Sequence, residues 1–301
     1  MVSFELSAEQ LEVKQWIHDF AEKRIRPAAA EWDEREETPW PLIQEAADIG
    51  LYSVDFLQQS FAGNDASGLL GPIAQEELFW GDAGIGLSIM GSSLAAAGIF
   101  ASGTPDQVLQ WLPECYGTPK DIKLGAFAVT EPNAGSDVRS LKTTARKDGD
   151  DWILNGTKVF ITNIGRAGLY VVFARTGPEE RAAGVSAFLV PADTPGLRVG
   201  QMFKKMGLNG SPTGELVLED VLVPVANRLA AEGQGFTVAM RALDSGRIGI
   251  SGQALGIGQA PVDEATTVLK GRRLGQLGSP HPAGSLRERA DLPTWWGGGG
   301  A

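Results

Sequence analysis

The chain has 301 residues, 43% of them apolar, and a formal net charge of −11. That size supports two or three domains with cores of their own, while the acidic balance and the absence of a basic run exclude nucleic acid held by its phosphates. Cys115 is the only cysteine, which excludes an internal disulfide and a cysteine-built metal cage; it reads as a small apolar group packed in a core. The segment from Met1 to Gln15 has no signal-peptide apolar region, and no stretch reads as the ~20 apolar residues of a membrane span. The expectation is therefore a cytoplasmic protein without one.

Residues 1 to about 120 read as helical. Ser7 followed by Gln10 forms a capping box, after which Leu11, Trp16, Ile17, Phe20 and Ile25 recur at helical spacing. Thr38 and Pro39 open a second helix that Gly50 ends, and Thr104, Pro105 and Gln107 open another that Pro113 stops. Between them, Leu69 to Gly81 and Gly84 to Phe100 are apolar enough for two largely buried helices. His18, beside Trp16 and Ile17 with no identifiable partner, reads as structural.

After Lys120 the period becomes alternating. Thr143 to Lys147, the turn Asp148 to Asp151, and Trp152 to Leu154 predict a hairpin. Further strands are expected at Lys123 to Val129, Leu169 to Arg175, Ser186 to Val190, Leu197 to Phe203 and Gly214 to Leu218, which suggests a small barrel or sandwich and an α+β chain. Helix returns at Gly235, where Phe236, Met240, Leu243, Ile248, Ile250 and Leu255 fit a long buried helix. Residues 261 to 301, rich in Gly and Pro, read as poorly packed or without structure.

Two segments carry chemistry. In Phe127-Ala128-Val129-Thr130-Glu131-Pro132-Asn133-Ala134-Gly135-Ser136-Asp137 a strand enters a turn whose backbone N–H groups and small hydroxyls could hold a polar ring edge or a pyrophosphate. In Lys158-Val159-Phe160-Ile161-Thr162-Asn163 an aromatic ring and a hydroxyl stand two residues apart, on one face of a strand, which suits a planar heterocycle. On the residues alone, a hydrophobic barrel strand with one threonine is the better explanation of the second segment.

Together, Val129-Thr130-Glu131-Pro132, Ala134-Gly135-Ser136-Asp137 and Phe160-Ile161-Thr162-Asn163 resemble the signature of the acyl-CoA dehydrogenases. The resemblance extends over Lys205-Met206-Gly207, Glu232 to Phe236 and Leu243 to Ile248, and so covers nearly all of residues 1 to about 260. It implies an N-terminal helical domain (1–121), a middle β-domain that binds flavin (122–230) and the first helix of a C-terminal helical bundle (231–270), with an atypical tail (271–301). It implies FAD as cofactor, lined by Phe127, Val129, Thr130, Gly135, Ser136, Phe160, Ile161 and Thr162. Thr130 would bond the pyrimidine end, Phe160 would stack near the isoalloxazine, and Thr162 would reach the N5 edge. Many members carry Trp at the Phe160 position; Phe keeps the flat face and loses the indole N–H. Ser136, Asp244 and Arg247 would contact the acyl-CoA substrate, although an ion pair on a helix surface explains the last two as well.

The implied reaction is α,β-dehydrogenation of an acyl-CoA thioester, with electrons passing to an electron-transfer flavoprotein, in a homo-oligomer. The family's glutamate base belongs to a C-terminal segment that this chain is expected to lack, and the alternative position of the base lies near Gly246, which has no side chain. No catalytic residue is therefore nominated. Gly271-Arg272-Arg273-Leu274-Gly275 looks like an eroded subunit-contact motif, and resemblance ends there, as a truncation or a shifted reading frame would produce. Two other readings stay open: a non-catalytic FAD- or CoA-binding remnant, and a fold relative with other flavin chemistry such as a nitroalkane oxidase or a flavin monooxygenase.

Overall fold

The computed structural model describes residues 5–62, 68–177 and 181–276. Ser7 begins α1 (Ala8–Phe20) with both halves of the capping box, its hydroxyl accepting from Gln10 N–H at 3.2 Å and its own N–H donating to the Gln10 side chain at 2.9 Å. A π-helical turn, Ala21–Ile25, joins it to α2 (Arg26–Arg35), and α3 (Trp40–Asp48) ends at Gly50, whose φ of 84° suits only glycine well. Next come α4 (Val54–Ala62), which the sequence reading left out, α5 (Leu70–Gly81), α6 (Ala83–Met90), α7 (Ser93–Ser102) and α8 (Pro105–Trp111). Helix α8 carries the second capping box, Thr104 with Gln107.

Two expectations need correction in this half. Gly84 to Phe100 is not one helix, because the chain turns at Gly91 and Ser92 between α6 and α7. The stretch Ala83–Ser102 also meets the length and composition of a membrane span, with a mean hydropathy of 1.6. Here 61% of it is buried inside the protein, as in the core helices of a globular fold. His18 does have partners: its Nδ1 lies 2.6 Å from Glu77 Oε2 and its ring rests on Trp80 with centroids 4.4 Å apart, stapling α1 to α5. Cys115 is fully buried, and burial pushes its thiol pKa up to about 12, so it packs as an apolar group.

After a short hairpin of β1 (Gly117–Thr118) and β2 (Asp121–Ile122), the remaining strands form one mixed sheet. They are β3 (Gly125–Ala128), β4 (Thr144–Asp148), β5 (Asp151–Thr162), β6 (Leu169–Arg175), β7 (Val185–Pro191), β8 (Leu197–Met202), β9 (Thr213–Pro224) and β10 (Arg228–Leu229). The order is β10-β7-β6-β4-β5-β9-β8, with β3 parallel to β6 off this path. The sheet bends on itself, so that Trp152 of β5 meets Phe188 of β7 edge-on at 5.6 Å over an interior of Tyr170, Val172, Leu216 and Val221. Its other face, with Val171, Phe173 and Leu189, packs on the helices through a second core that includes Ile85, Ile89 and Ile99. Strand β6 is therefore buried on both faces, which explains its unbroken apolar run.

The chain divides into two units, Met1–Ala260 and Pro261–Ala301. In the first, α9 (Gly235–Gln276) begins where the sequence predicts and sends Val238, Ala239 and Ala242 into buried positions. It lies unusually close to α5, because a Cβ at Gly252 would stand 2.5 Å from Pro72 O and one at Gly256 would press on Glu76 O. In the second unit the described residues, Pro261 to Gln276, are helical. Residues 261–276 are therefore helical and not without structure, although 261–271 are mostly exposed, as poor packing would leave them; Pro261 removes one backbone hydrogen bond but does not stop the helix. Residues 277–301 of that expected tail lie outside the described residues.

Candidate functional site

The two chemistry-bearing segments meet. Strand β3 ends at Ala128, and the following Val129-Thr130-Glu131 runs beside the end of β5, where Val159 N–H donates to Thr130 C=O at 2.9 Å. Glu131 and Ala134 close the Pro132-Asn133 turn with two backbone hydrogen bonds, 3.0 and 3.1 Å long. That turn brings Gly135 back to Thr130: a Cβ added at Gly135 would find only Thr130 Cγ2, at 3.8 Å.

Regular alternation does not set the aim of Phe160. The β5–β9 pairing slips between Lys158 and Ile161, and Phe160 takes a left-handed backbone with φ 58°. For a bulky residue this conformation is strained, and it persists only where its surroundings enforce it. The result is a ring 67% exposed between the buried side chains of Val159 and Ile161. It leans on Phe203, with centroids 5.3 Å apart, in a groove completed by Gln201, Met202, Lys204, Lys205 and Thr213.

The other nominated residues fall into two groups. Thr130 and Thr162 are half-buried, and Gly135 and Ser136 are exposed, so their polar atoms are available to a ligand. Val129 and Ile161 are buried in the two cores, and the Phe127 ring sits against Phe173 at 4.8 Å, so these three positions offer a ligand backbone and little side chain. Asn163, the last residue of the second motif, is buried; its amide donates to Gly125 O at 3.0 Å and ties β5 to β3.

A buried ion pair lies behind the slot, and the sequence reading gave it no role. Lys158, with no exposed side-chain surface, donates to Glu131 Oε1 at 2.7 Å and to Val129 O at 3.3 Å. Glu131 also accepts from Lys142 N–H at 2.6 Å, from Thr143 N–H at 2.9 Å and from the Thr143 hydroxyl at 2.5 Å. Burial pushes the Lys158 pKa down to about 8 against the pull of Glu131. Burial works to raise the Glu131 pKa, but Lys158 and the Thr143 and Lys142 donors outweigh it and hold the carboxyl below its ordinary value. The signal in the sequence was a lysine and a glutamate, each inside an apolar motif, where a charge is tolerated only with a partner.

A second feature is an apolar cavity of about 220 Å³. Its walls come from the loop before α4, from α4 and α5, from Ile89, Met90, Ser93 and Leu94 near the α6–α7 break, and from Ala242, Ser245, Gly246 and Gly249 of α9. Tyr52 lines it with its ring and anchors itself through its hydroxyl, which bonds Ser92 Oγ at 3.0 Å, Cys115 O at 3.1 Å and Lys123 O at 2.7 Å. Ser92 Oγ in turn accepts from Gly125 N–H at 3.0 Å, which fixes the cavity wall to the start of β3. Among the described residues, no Asp or Glu lines this cavity. Asp244 and Arg247 form an exposed ion pair with each other on α9.

An outward-turned aromatic ring close in the chain to the strand–turn junction, and an apolar cavity under a long helix, are the features that the acyl-CoA dehydrogenase resemblance implies. The comparisons agree. Residues 7–117 match the model of the acyl-CoA dehydrogenase N-terminal domain, and residues 126–221 match that of the middle domain. The short-chain specific acyl-CoA dehydrogenase of Clostridium acetobutylicum is 39% identical over 90% of this chain and 71% of its own length. An acyl-CoA dehydrogenase of Bacillus subtilis is 39% identical over 96% of this chain and 76% of its own. The structure of butyryl-CoA dehydrogenase from Megasphaera elsdenii superposes with a TM-score of 0.80 at 39% identity, over 88% of this chain and 70% of that one. The chain belongs to the acyl-CoA dehydrogenase family, whose cofactor is FAD. The residues present fit that group: a flat exposed ring for the isoalloxazine, accessible hydroxyls at Thr130, Ser136 and Thr162 for its polar edge, and an open position at Gly135 for close approach.

Proposed function

We propose that this chain carries the site of an FAD-dependent α,β-dehydrogenation of an acyl-CoA thioester, with the acyl group in the cavity under α9 and the thioester near Phe160 and Thr162. The observation that carries the reading is the Val159–Thr130 hydrogen bond, because it joins the two motif segments beside an outward-turned aromatic ring. Bound in the slot, FAD supplies the acceptor for the hydride that leaves the β-carbon. Thr130 and the backbone of Val129 would hold its polar edge, Phe160 would cover its ring and Ser136 would stand where cofactor and CoA both reach. Arg247, released from Asp244, offers a donor fork suited to the oxygen-rich CoA moiety.

The α-proton needs a base within hydrogen-bond reach. Among the described residues the cavity lining holds no carboxylate, and Gly246 presents no side chain at all. The chain by itself therefore binds flavin and thioester better than it turns them over, and a carboxylate from outside this lining completes the reaction. The same absence favours one alternative, FAD and CoA binding without turnover. An electron-transfer flavoprotein as acceptor, a homo-oligomeric assembly and a cytoplasmic location complete the proposal.

The test is anaerobic addition of butyryl-CoA to the FAD-reconstituted protein. Bleaching of the visible flavin spectrum is expected for dehydrogenation, if slowly. A yellow protein that no acyl-CoA of any chain length bleaches leaves only the binding role, and a protein that takes up no FAD sinks both.

A further inference from the structure

Thr130 lies in the first motif just past the end of β3 and, like Val129, belongs to no strand of its own. Its position depends on its neighbours. The Thr130 C=O accepts from Val159 N–H; the residue before it, Val129, presents its C=O to Lys158 Nζ; the residue after it, Glu131, presents its carboxylate to the same Nζ. Lys158 and Val159 thus hold three consecutive residues of the turn. The strained bulge at Phe160 follows directly, so one dipeptide fixes the backbone on both sides of the slot.

The rest of the network explains why the clamp cannot slide. Glu131 is bonded to the backbone of Lys142 and Thr143 at the entry to β4, and Thr143 in turn lies against Gly156 of β5. Gly156 has φ 153°, and a Cβ there would come within 2.5 Å of Thr143 Oγ1. All four donors around Glu131 are in place, and no side-chain surface of Lys158 reaches solvent. A fully buried pair rarely raises net stability compared with an apolar pair of the same shape, and setting one conformation is its better-attested use.

We propose that Lys158 is a positioning residue of the flavin slot, its buried ammonium clamping the Val129-Thr130-Glu131 turn to the Phe160 bulge through Glu131 and the Val129 carbonyl. The ammonium touches no ligand itself and acts through Thr130 and Phe160. The importance of the clamp for cofactor binding rests on the flavin reading above; its geometry does not.

The experiment uses two variants of the full chain, Lys158→Met and the double variant Lys158→Met/Glu131→Gln. The single change leaves a buried carboxylate without its cation and is expected to lower stability; the double variant removes both charges and folds if the single one does not. Two quantities are read: amide hydrogen exchange at Val159 in the flavin-free protein, and FAD affinity by fluorescence titration. In the double variant the Val159 N–H is expected to exchange at least tenfold faster relative to Val172 in the core of β6, and FAD to bind at least tenfold more weakly, with the thermal midpoint near that of the parent. Unchanged Val159 exchange overturns the proposal, as does unchanged FAD affinity in a variant whose Val159 exchange has risen. If the parent takes up no FAD, the flavin reading fails by that result alone, and Val159 exchange still decides whether Lys158 holds the turn.

Discussion

The slot around Thr130 and Phe160 is held by hydrogen bonds between segments that are individually irregular, whereas the cavity under α9 is held by helices leaning on one another through glycines and apolar side chains. In the slot, position is specified atom by atom, and a buried charge pair fixes one conformation. In the cavity, shape is specified largely by volume, and the Tyr52 hydroxyl and the Gln253–Gln75 amide pair add directional bonds between the segments of its wall. A polar reacting edge needs the first kind of construction, because hydrogen-bond geometry tolerates little displacement. An apolar acyl group needs only space and the exclusion of water.

The contrast can be attacked from the cavity side first, where the largest effect is expected. Gly256→Val would drive a branched side chain into the α5 backbone at Glu76 O, and we expect it to cost about 3 kcal/mol or to prevent folding, read from urea denaturation. Full stability in that variant would show that α9 does not lie against α5 as described. Tyr52→Phe keeps the ring in the cavity wall and removes the hydroxyl shared by Ser92, Cys115 and Lys123; a loss of about 1–3 kcal/mol is expected in the same assay.

On the slot side the expected effects fall on ligands more than on folding. Phe160→Ala removes a ring that is mostly in solvent, so denaturation should be almost unchanged, while FAD affinity drops by up to about tenfold, the worth of one aromatic stacking contact. A large stability loss would instead make Phe160 a core residue. Asp244→Asn is the smallest change: it breaks an exposed pair on α9 and should leave the denaturation midpoint where it was. A change in CoA-ester affinity, followed by calorimetry, would separate a substrate contact from a plain surface ion pair.

Much of the fold was legible because local rules and tertiary packing agree. The Ser7–Gln10 capping box forms as read, Thr104 and Pro105 open α8 as expected, β6 matches its predicted span residue for residue, and α9 starts at Gly235. The misreadings have local causes. Two helices replace one where Gly91 and Ser92 break an apolar run, and helix continues past Pro261 where composition suggested none. The period-two argument put Phe160 and Thr162 on one face of a regular strand, but a left-handed residue at a bulge aims the ring.

The amino-acid sequence by itself determined the kinds of element, their order and the two motifs, because capping, periodicity and turn residues act within a few positions of the chain. Only the tertiary structure decided that Thr130 lies beside Val159, that Lys158 and Glu131 form a buried pair, that α9 closes on α5 through its glycines, and that Asp244 and Arg247 face each other in solvent. Those facts depend on register and close approach between segments far apart in the chain. No local signal carries them, since a buried charge or a glycine on a helix face acquires its meaning from the atom placed opposite.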